Sequence, residues 1–356
     1  MKIKLFVTLF TLISILHNCY SQNWNYRELD ASLCSYIRPF VESKLFMGSI
    51  LIAKGDSIIF LDNYGYSNLE HLVPNSSNTV YRIGSMTKQF TATAIMLLIE
   101  DNKISTETKL SEFIPDYPNA NRITIHQLLT HSSGIPNYTK LPEYNSTVCL
   151  PTNLPELISR IRNLPLEFEP GSKFRYNDSG YMLLTYIIEK ASGLSYSEFL
   201  YKRIFQPLGM KNTRYDNYKQ IVKNRASGYT LNKDSKELVN ADYIDMSVPQ
   251  GAGGLSSTVL DLYKWDRSFY TDSLLSSVSK EKMFTFYIAD YGYGWGREIR
   301  KDGRISIGHN GVINGFSSII HRFVADNTVI IILANTDSFE TNDIFNQIPA
   351  IYFKED

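Results

Sequence analysis

Three short groups of residues in this chain are of types whose combination could do chemistry. They are Ser85-Met86-Thr87-Lys88, the run from Phe174 to Tyr181, and Gly308-His309-Asn310-Gly311-Val312. In the first, a serine and a lysine stand three residues apart. If Ser85 opens a helix, Lys88 lies on the same face one turn later, within reach of the hydroxyl. The positive end of the helix dipole favours negative charge developing at Ser85. A serine hydroxyl is a weak nucleophile until a base or a nearby cation activates it. The same spacing recurs at Ser277 and Ser279, but in a polar stretch with no long apolar helix behind it, which reads as surface. A serine at a helix start is often only a cap. What distinguishes Ser85 is Gly84 before it, Val80-Tyr81-Arg82-Ile83 leading in, and a buried-type helix after it.

The second group, Phe174-Arg175-Tyr176-Asn177-Asp178-Ser179-Gly180-Tyr181, stands just before a helical run. Tyr176 is a candidate to take a proton from Ser85 and return it to a leaving group. To act as a base it must be ionised, so its reference pKa near 10 has to fall under positive charge such as that of Lys88. With 24 tyrosines in the chain, a packed tyrosine is the competing reading. In the third group, glycine within a strand marks close approach of backbone to a ligand. The N–H just past Gly311 is a natural oxyanion donor, paired with that of Ser85. His309 taken singly reads more readily as a structural or surface histidine than as a catalytic one.

These groups need a scaffold. Residues 24–46 read as an amphipathic helix; 48–53 and 57–64 read as two strands joined at Lys54-Gly55-Asp56. Residues 85–101 form a helix that is apolar nearly all round from Thr91 to Ile99, as in a buried core. Thr124 is placed to cap a short helix through Leu129, and 181–190 is a further helix. After about 250 strands return, at 315–323, 329–334 and around the Asp302-Gly303 turn, with a closing helix over 341–353. The expected fold is α/β (α+β): an antiparallel sheet flanked by helices, built from 22–105 and 251–356. A mostly helical insertion, 106–250, lies across a cleft from it.

The 356 residues are 43% hydrophobic and 20% charged, enough for a sizeable core. Lys plus Arg and Asp plus Glu both number 36, so the basic excess of a nucleic-acid binder is missing. Residues 1–21 carry Lys2 and Lys4 and then an apolar run too short to span a bilayer. They read as a secretory signal cleaved after Ser21, for export to the periplasm or beyond. An uncleaved anchor, or lipidation of Cys19, is the alternative. The mature chain then keeps Cys34 and Cys149, which allow one disulfide but no framework. No Cys/His cluster has zinc-site spacing, and His126 and His131, five apart, read as packing or loop residues. No metal or organic cofactor is implied.

Taken together, the order and separation of the three groups resemble the β-lactamase/transpeptidase-like superfamily, specifically class C β-lactamases, low-molecular-mass DD-peptidases and related esterases. The resemblance extends over nearly the whole mature chain. It includes Tyr64 to Asn68 with Tyr81 to Ser85, Ile123 to Gly134, and Gly253 to Thr258. It implies Ser85 as the acylated serine, Lys88 as its activating lysine, Tyr176 as the proton shuttle and the Val312 N–H as second oxyanion donor. Asp178, His309 and Gly311 would face the substrate. The family usually has Asn where this chain has Asp178; a carboxylate only accepts hydrogen bonds and repels anions. Efficient β-lactamases have Lys where this chain has His309, which near its reference pKa is only partly charged. The implied activity is an exported serine hydrolase working on a D-amino-acid peptide or related amide or ester, such as a peptidoglycan stem peptide. A carboxylesterase is the alternative, and a non-catalytic penicillin-recognising sensor is the alternative of another class.

Overall fold

A computed structural model describes residues 24–232, 234–235, 237–337 and 340–354. The signal-peptide reading of residues 1–21, Cys19 included, lies outside them. Among the described residues no helix is long and apolar enough to cross a membrane.

The chain opens with helix α1 (Trp24–Glu42), followed by strands β1 (Gly48–Lys54) and β2 (Ser57–Tyr64). Helix α1 stops four residues earlier than its apolar pattern: Lys44 turns left-handed (φ 59°), and the N–H groups of Leu45 and Phe46 both donate to Phe40 O. Then come β3 (Tyr81–Arg82), helix α2 (Thr87–Glu100), the short α3 (Ile125–Leu129) and α4 (Asp178–Ser192). Thr124 caps α3 as expected, accepting from Gln127 N–H while the Gln127 side chain returns a bond to Thr124 N–H. Strands β4 (Arg214–Tyr215) and β5 (Leu255–Ser257) and helix α5 (Val259–Ser268) follow. The chain closes with β6 (Gly296–Ile299), β7 (Ile305–Ile313), β8 (Phe316–Phe323), β9 (Thr328–Ala334) and α6 (Glu340–Phe353).

Six strands form one antiparallel sheet in the order β6-β7-β8-β9-β1-β2, so strands from the two ends of the chain meet at β1–β9. Period-two alternation divides their side chains between the faces. Ile50, Ile52, Ile330 and Ile332 pack against Leu33 and Ile37 of α1 and Ile344 and Ile348 of α6. Leu51, Ala53, Ile331 and Leu333 face the other way, into a core shared with α2 and α5. Residues Thr87 to Leu98 of α2 are all buried, which explains an apolar surface with no polar face. A smaller sheet, ordered β3-β5-β4, leads into the start of α2. The disulfide that Cys34 and Cys149 left open does not form: both are free, one half-buried and the other exposed.

Asp266 of α5, fully buried, clamps two layers together. One oxygen accepts from Arg322 Nε of β8 at 2.6 Å, the other from Arg267 Nε at 2.8 Å. Asp266→Ala strands a buried guanidinium and is expected to cost about 3–5 kcal/mol of folding stability. Urea unfolding of the variant against the parent measures this, and a loss under about 1 kcal/mol would contradict the clamp.

Candidate active site

Ser85 sits in a tight 3-10 turn, Gly84–Met86, that runs into α2. The turn needs its first residue left-handed, and Gly84 supplies φ 48°. Strand β7 lies directly against it. A Cβ on Gly84 would come 3.0 Å from Val312 N; one on Gly311 would come 2.2 Å from Ile83 O and 2.9 Å from Ser85 N. Ser318 of β8 donates to Ile83 O at 2.8 Å, fixing the same turn to the next strand. Two bare glycines thus let the backbone at Ser85 and at Val312 approach side by side.

Lys88, on the first turn of α2, is fully buried and spends its three donors on Ser85 Oγ (3.1 Å), Asp178 Oδ1 (2.7 Å) and Ala252 O (2.8 Å). Burial pushes its pKa down, but the charge of Asp178, with the Tyr176 oxygen and their hydrogen bonds, outweighs that and leaves it above the usual lysine value. Asp178 is brought there by α4, which Asn177 caps by accepting from Gly180 N–H. Its carboxyl, pushed up by burial, is held below its ordinary value overall by Lys88 and by Asn137 and Thr139. Asp178 therefore stands first of all as the partner of Lys88. The anion repulsion expected of it is largely cancelled, because the two charges lie 2.7 Å apart.

Tyr176 shares the cleft wall with Ser85, and the Lys88 ammonium lies 4.7 Å from its ring centre. Its buried hydroxyl has no well-formed hydrogen bond among the described residues, although Lys88 and Ser85 both stand close enough to draw its pKa down. Burial and the Asp178 charge win, and the net shift is upward. The expectation that Lys88 lowers it into the working range is corrected. Desolvation of the phenolate outweighs the pull of the ammonium.

His309 is likewise not the half-charged group that its reference value suggested. Burial first, then the Lys88 charge, hold it at about 4, so it is neutral at pH 7. Its Nδ1–H donates to Asn310 O at 2.6 Å, since a carbonyl only accepts, and the Tyr291 hydroxyl then donates to Nε2 at 3.0 Å. Tyr291 was missed by the sequence reading, and nothing in its local pattern marks it. His131, read as packing, lies fully buried with ring centres 4.4 Å from Tyr176 and 4.7 Å from Tyr291. It accepts from Asn177 N–H at 3.0 Å, and burial keeps its pKa well below the ordinary range. His126 is remote from this cluster in its bonding: its Nδ1 pairs with Tyr293 at 2.8 Å. Ser276 caps the helix that carries Ser277 and Ser279, accepting from Ser279 N–H. Ser277 is exposed, as its surface reading expected, but Ser279 is buried, because the cap turns it inward.

A cleft of about 500 Å³ opens beside Ser85, Tyr176, Tyr291, His309 and Val312, with Arg297 on its wall. Arg297 is paired with Asp290. A second recess of about 140 Å³ lies on the other side of Ser85, with Asp178, Tyr138 and Tyr144 among its walls. Among the described residues no group of His, Cys, Asp and Glu is arranged to hold a metal ion.

Comparisons with known proteins identify the family. The family model described as Beta-lactamase matches residues 35–348. Penicillin-binding protein 4* of Bacillus subtilis is 31% identical over 315 residues, covering 83% of this chain and 69% of that one. Teichoic acid D-alanine hydrolase of Staphylococcus aureus is 27% identical over 70% of this chain and 58% of its own length. Among solved structures, the octameric penicillin-binding protein homologue from Pyrococcus abyssi superposes with a TM-score of 0.81 at 31% identity. That match covers 92% of this chain and 78% of the other. The chain belongs to the beta-lactamase family of serine hydrolases, in the company of penicillin-binding proteins.

Proposed function

We propose that the protein is an exported serine hydrolase that forms an acyl-enzyme on Ser85 and acts on D-amino-acid peptides, amides or esters. The observation that carries this is the Lys88–Ser85 hydrogen bond of 3.1 Å at a turn where the Ser85 and Val312 backbones converge. Ser85 Oγ attacks the carbonyl carbon. The oxygen that gains the electron pair is held by the N–H groups of Ser85 and Val312. The Ser85 proton passes to the Tyr176 oxygen while the Tyr176 proton passes to the departing amine or alcohol. A phenol can relay in this way without ionising, which suits its raised pKa. Water then reverses the sequence and frees the acid.

The choice of acyl donor rests on charge. His309 is neutral, Arg297 is paired and Lys88 is spent on Asp178, so the described cleft offers a substrate carboxylate little grip. This favours acyl donors without a carboxylate beside the scissile bond, and supports the D-alanyl class named for the Staphylococcus relative over β-lactams. The same observation supports a carboxylesterase as the second reading. Purified protein assayed on D-alanyl-p-nitroanilide, a p-nitrophenyl ester, a D-Ala-D-Ala peptide and a fluorescent penicillin separates these. D-alanyl turnover is expected; ester cleavage alone would select the esterase; silence on all four would overturn both.

Asp178→Asn removes the charge that raises the pKa of both Lys88 and Tyr176. Both groups then reach their basic forms at lower pH, and either can take the Ser85 proton outright in place of the concerted relay. Acylation by the fluorescent penicillin at neutral pH is expected to quicken on the order of tenfold, with the acid limb of the rate profile moved to lower pH. Stopped-flow labelling across the pH range checks this. A limb that stays in place would show that Asp178 does not set these protonation states.

A further inference from the structure

Behind the nucleophile turn, three arginines converge on one face of the small sheet. The antiparallel register sets Arg82 of β3 and Arg214 of β4 both opposite Ser256 of β5, and residues directly opposite project to the same side. Arg225 arrives from the loop after β4. Its NH2 donates to Asp216 Oδ1 at 3.0 Å and to Asn217 O at 2.9 Å, while Arg82 Nε donates to Asp216 Oδ2 at 2.7 Å. Buried Asp216 thus spends both oxygens on fixing two guanidinium groups. Together they border a cavity of about 190 Å³, lined by Arg82, Asp216, Arg225, Gly228, Ser256 and Phe316.

One polar atom on the lining of this cavity has no partner among the described residues: Ser256 Oγ, whose residue is 4% exposed. A buried polar group without a partner is costly, and such groups in native proteins usually answer to a ligand or ordered water. On the lining, two guanidinium groups against one carboxylate leave a formal excess of one positive charge, while Arg214, farther along the same face, turns a donor to Lys211 O. Asp245, which is not on the lining, is engaged by Ser247 and by the Tyr243 hydroxyl. A guanidinium presents its donors as a planar fork that fits the oxygens of phosphate.

We propose that this cavity binds a phosphate-type anion, held by the Arg82 and Arg225 forks and by the Ser256 hydroxyl. Arg82 is three residues before Ser85, so an occupant steadies the strand that delivers the nucleophile. The site is independent of the chemistry assigned to Ser85.

Isothermal titration of the purified protein with inorganic phosphate at low ionic strength and neutral pH tests it. One saturable binding event is expected, weakened roughly tenfold or more in both Arg225→Gln and Ser256→Ala. Ser256→Ala leaves the arginine–aspartate pairs intact, so its result does not depend on their loss. Glycerol phosphate is run alongside: binding as tight as phosphate identifies a phosphomonoester occupant, and weaker binding identifies the free ion. Absence of saturable heat in the parent, undiminished affinity in both variants, or acetate binding as tightly as phosphate would each overturn the proposal.

Discussion

Ser85→Ala is expected to lower kcat/KM on every substrate the parent turns over by about four orders of magnitude or more. The reason is local. Buried Lys88 and its partner Asp178 lie beside the hydroxyl as a balanced pair, and among the described residues no other serine or cysteine lines the cleft. The loss should fall on kcat, because the walls that bind substrate are untouched. Mass spectrometry of the parent quenched during turnover should reveal an acyl adduct on the peptide that carries Ser85, and none in the variant. Ser277→Ala, which alters a residue with the same Ser-x-x-Lys spacing, should behave as the parent. Activity of Ser85→Ala within tenfold of the parent would sink the acyl-enzyme reading.

Gly311→Ala should also be damaging, though less so, while leaving the side chains of Ser85, Lys88 and Tyr176 in place. The added methyl carbon would lie 2.2 Å from Ile83 O, 2.6 Å from Ser318 Oγ and 2.9 Å from Ser85 N, closer than a methyl carbon packs. Strand β7 must therefore back away from the nucleophile turn, taking the Val312 N–H with it. Loss of one oxyanion donor costs roughly 10²- to 10³-fold in kcat, and that range is expected here. Near-ultraviolet circular dichroism and a thermal melt separate this from unfolding. A folded variant with activity within threefold of the parent would show that the Val312 N–H does not serve the reaction.

Much of the scaffold was legible because its signals are local. The hairpin at 48–64, the Thr124 cap and the strand over 329–334 each declare themselves through turn residues, a capping oxygen or a β-branched run. The helix after Ser85 was found, but not the 3-10 turn on which Ser85 rides, since that turn is imposed by β7 packing against Gly84. Helix α4 begins three residues before its apolar run because Asn177 supplies a cap. Residues Tyr291 and His131 were unreadable as site residues: each is one aromatic or imidazole among many, and only folding brings them against Tyr176 and His309.

By itself, the sequence determined which residues are available for chemistry and that a buried helix and a glycine-bearing strand would carry them. Both follow from spacing and apolar pattern, which act over a few residues. Only the tertiary structure decided the charges. His309 is neutral, Tyr176 holds its proton, and Asp178 attends to Lys88 before any substrate. Protonation follows from desolvation and from partners delivered by distant elements, and neither quantity exists until the chain has folded.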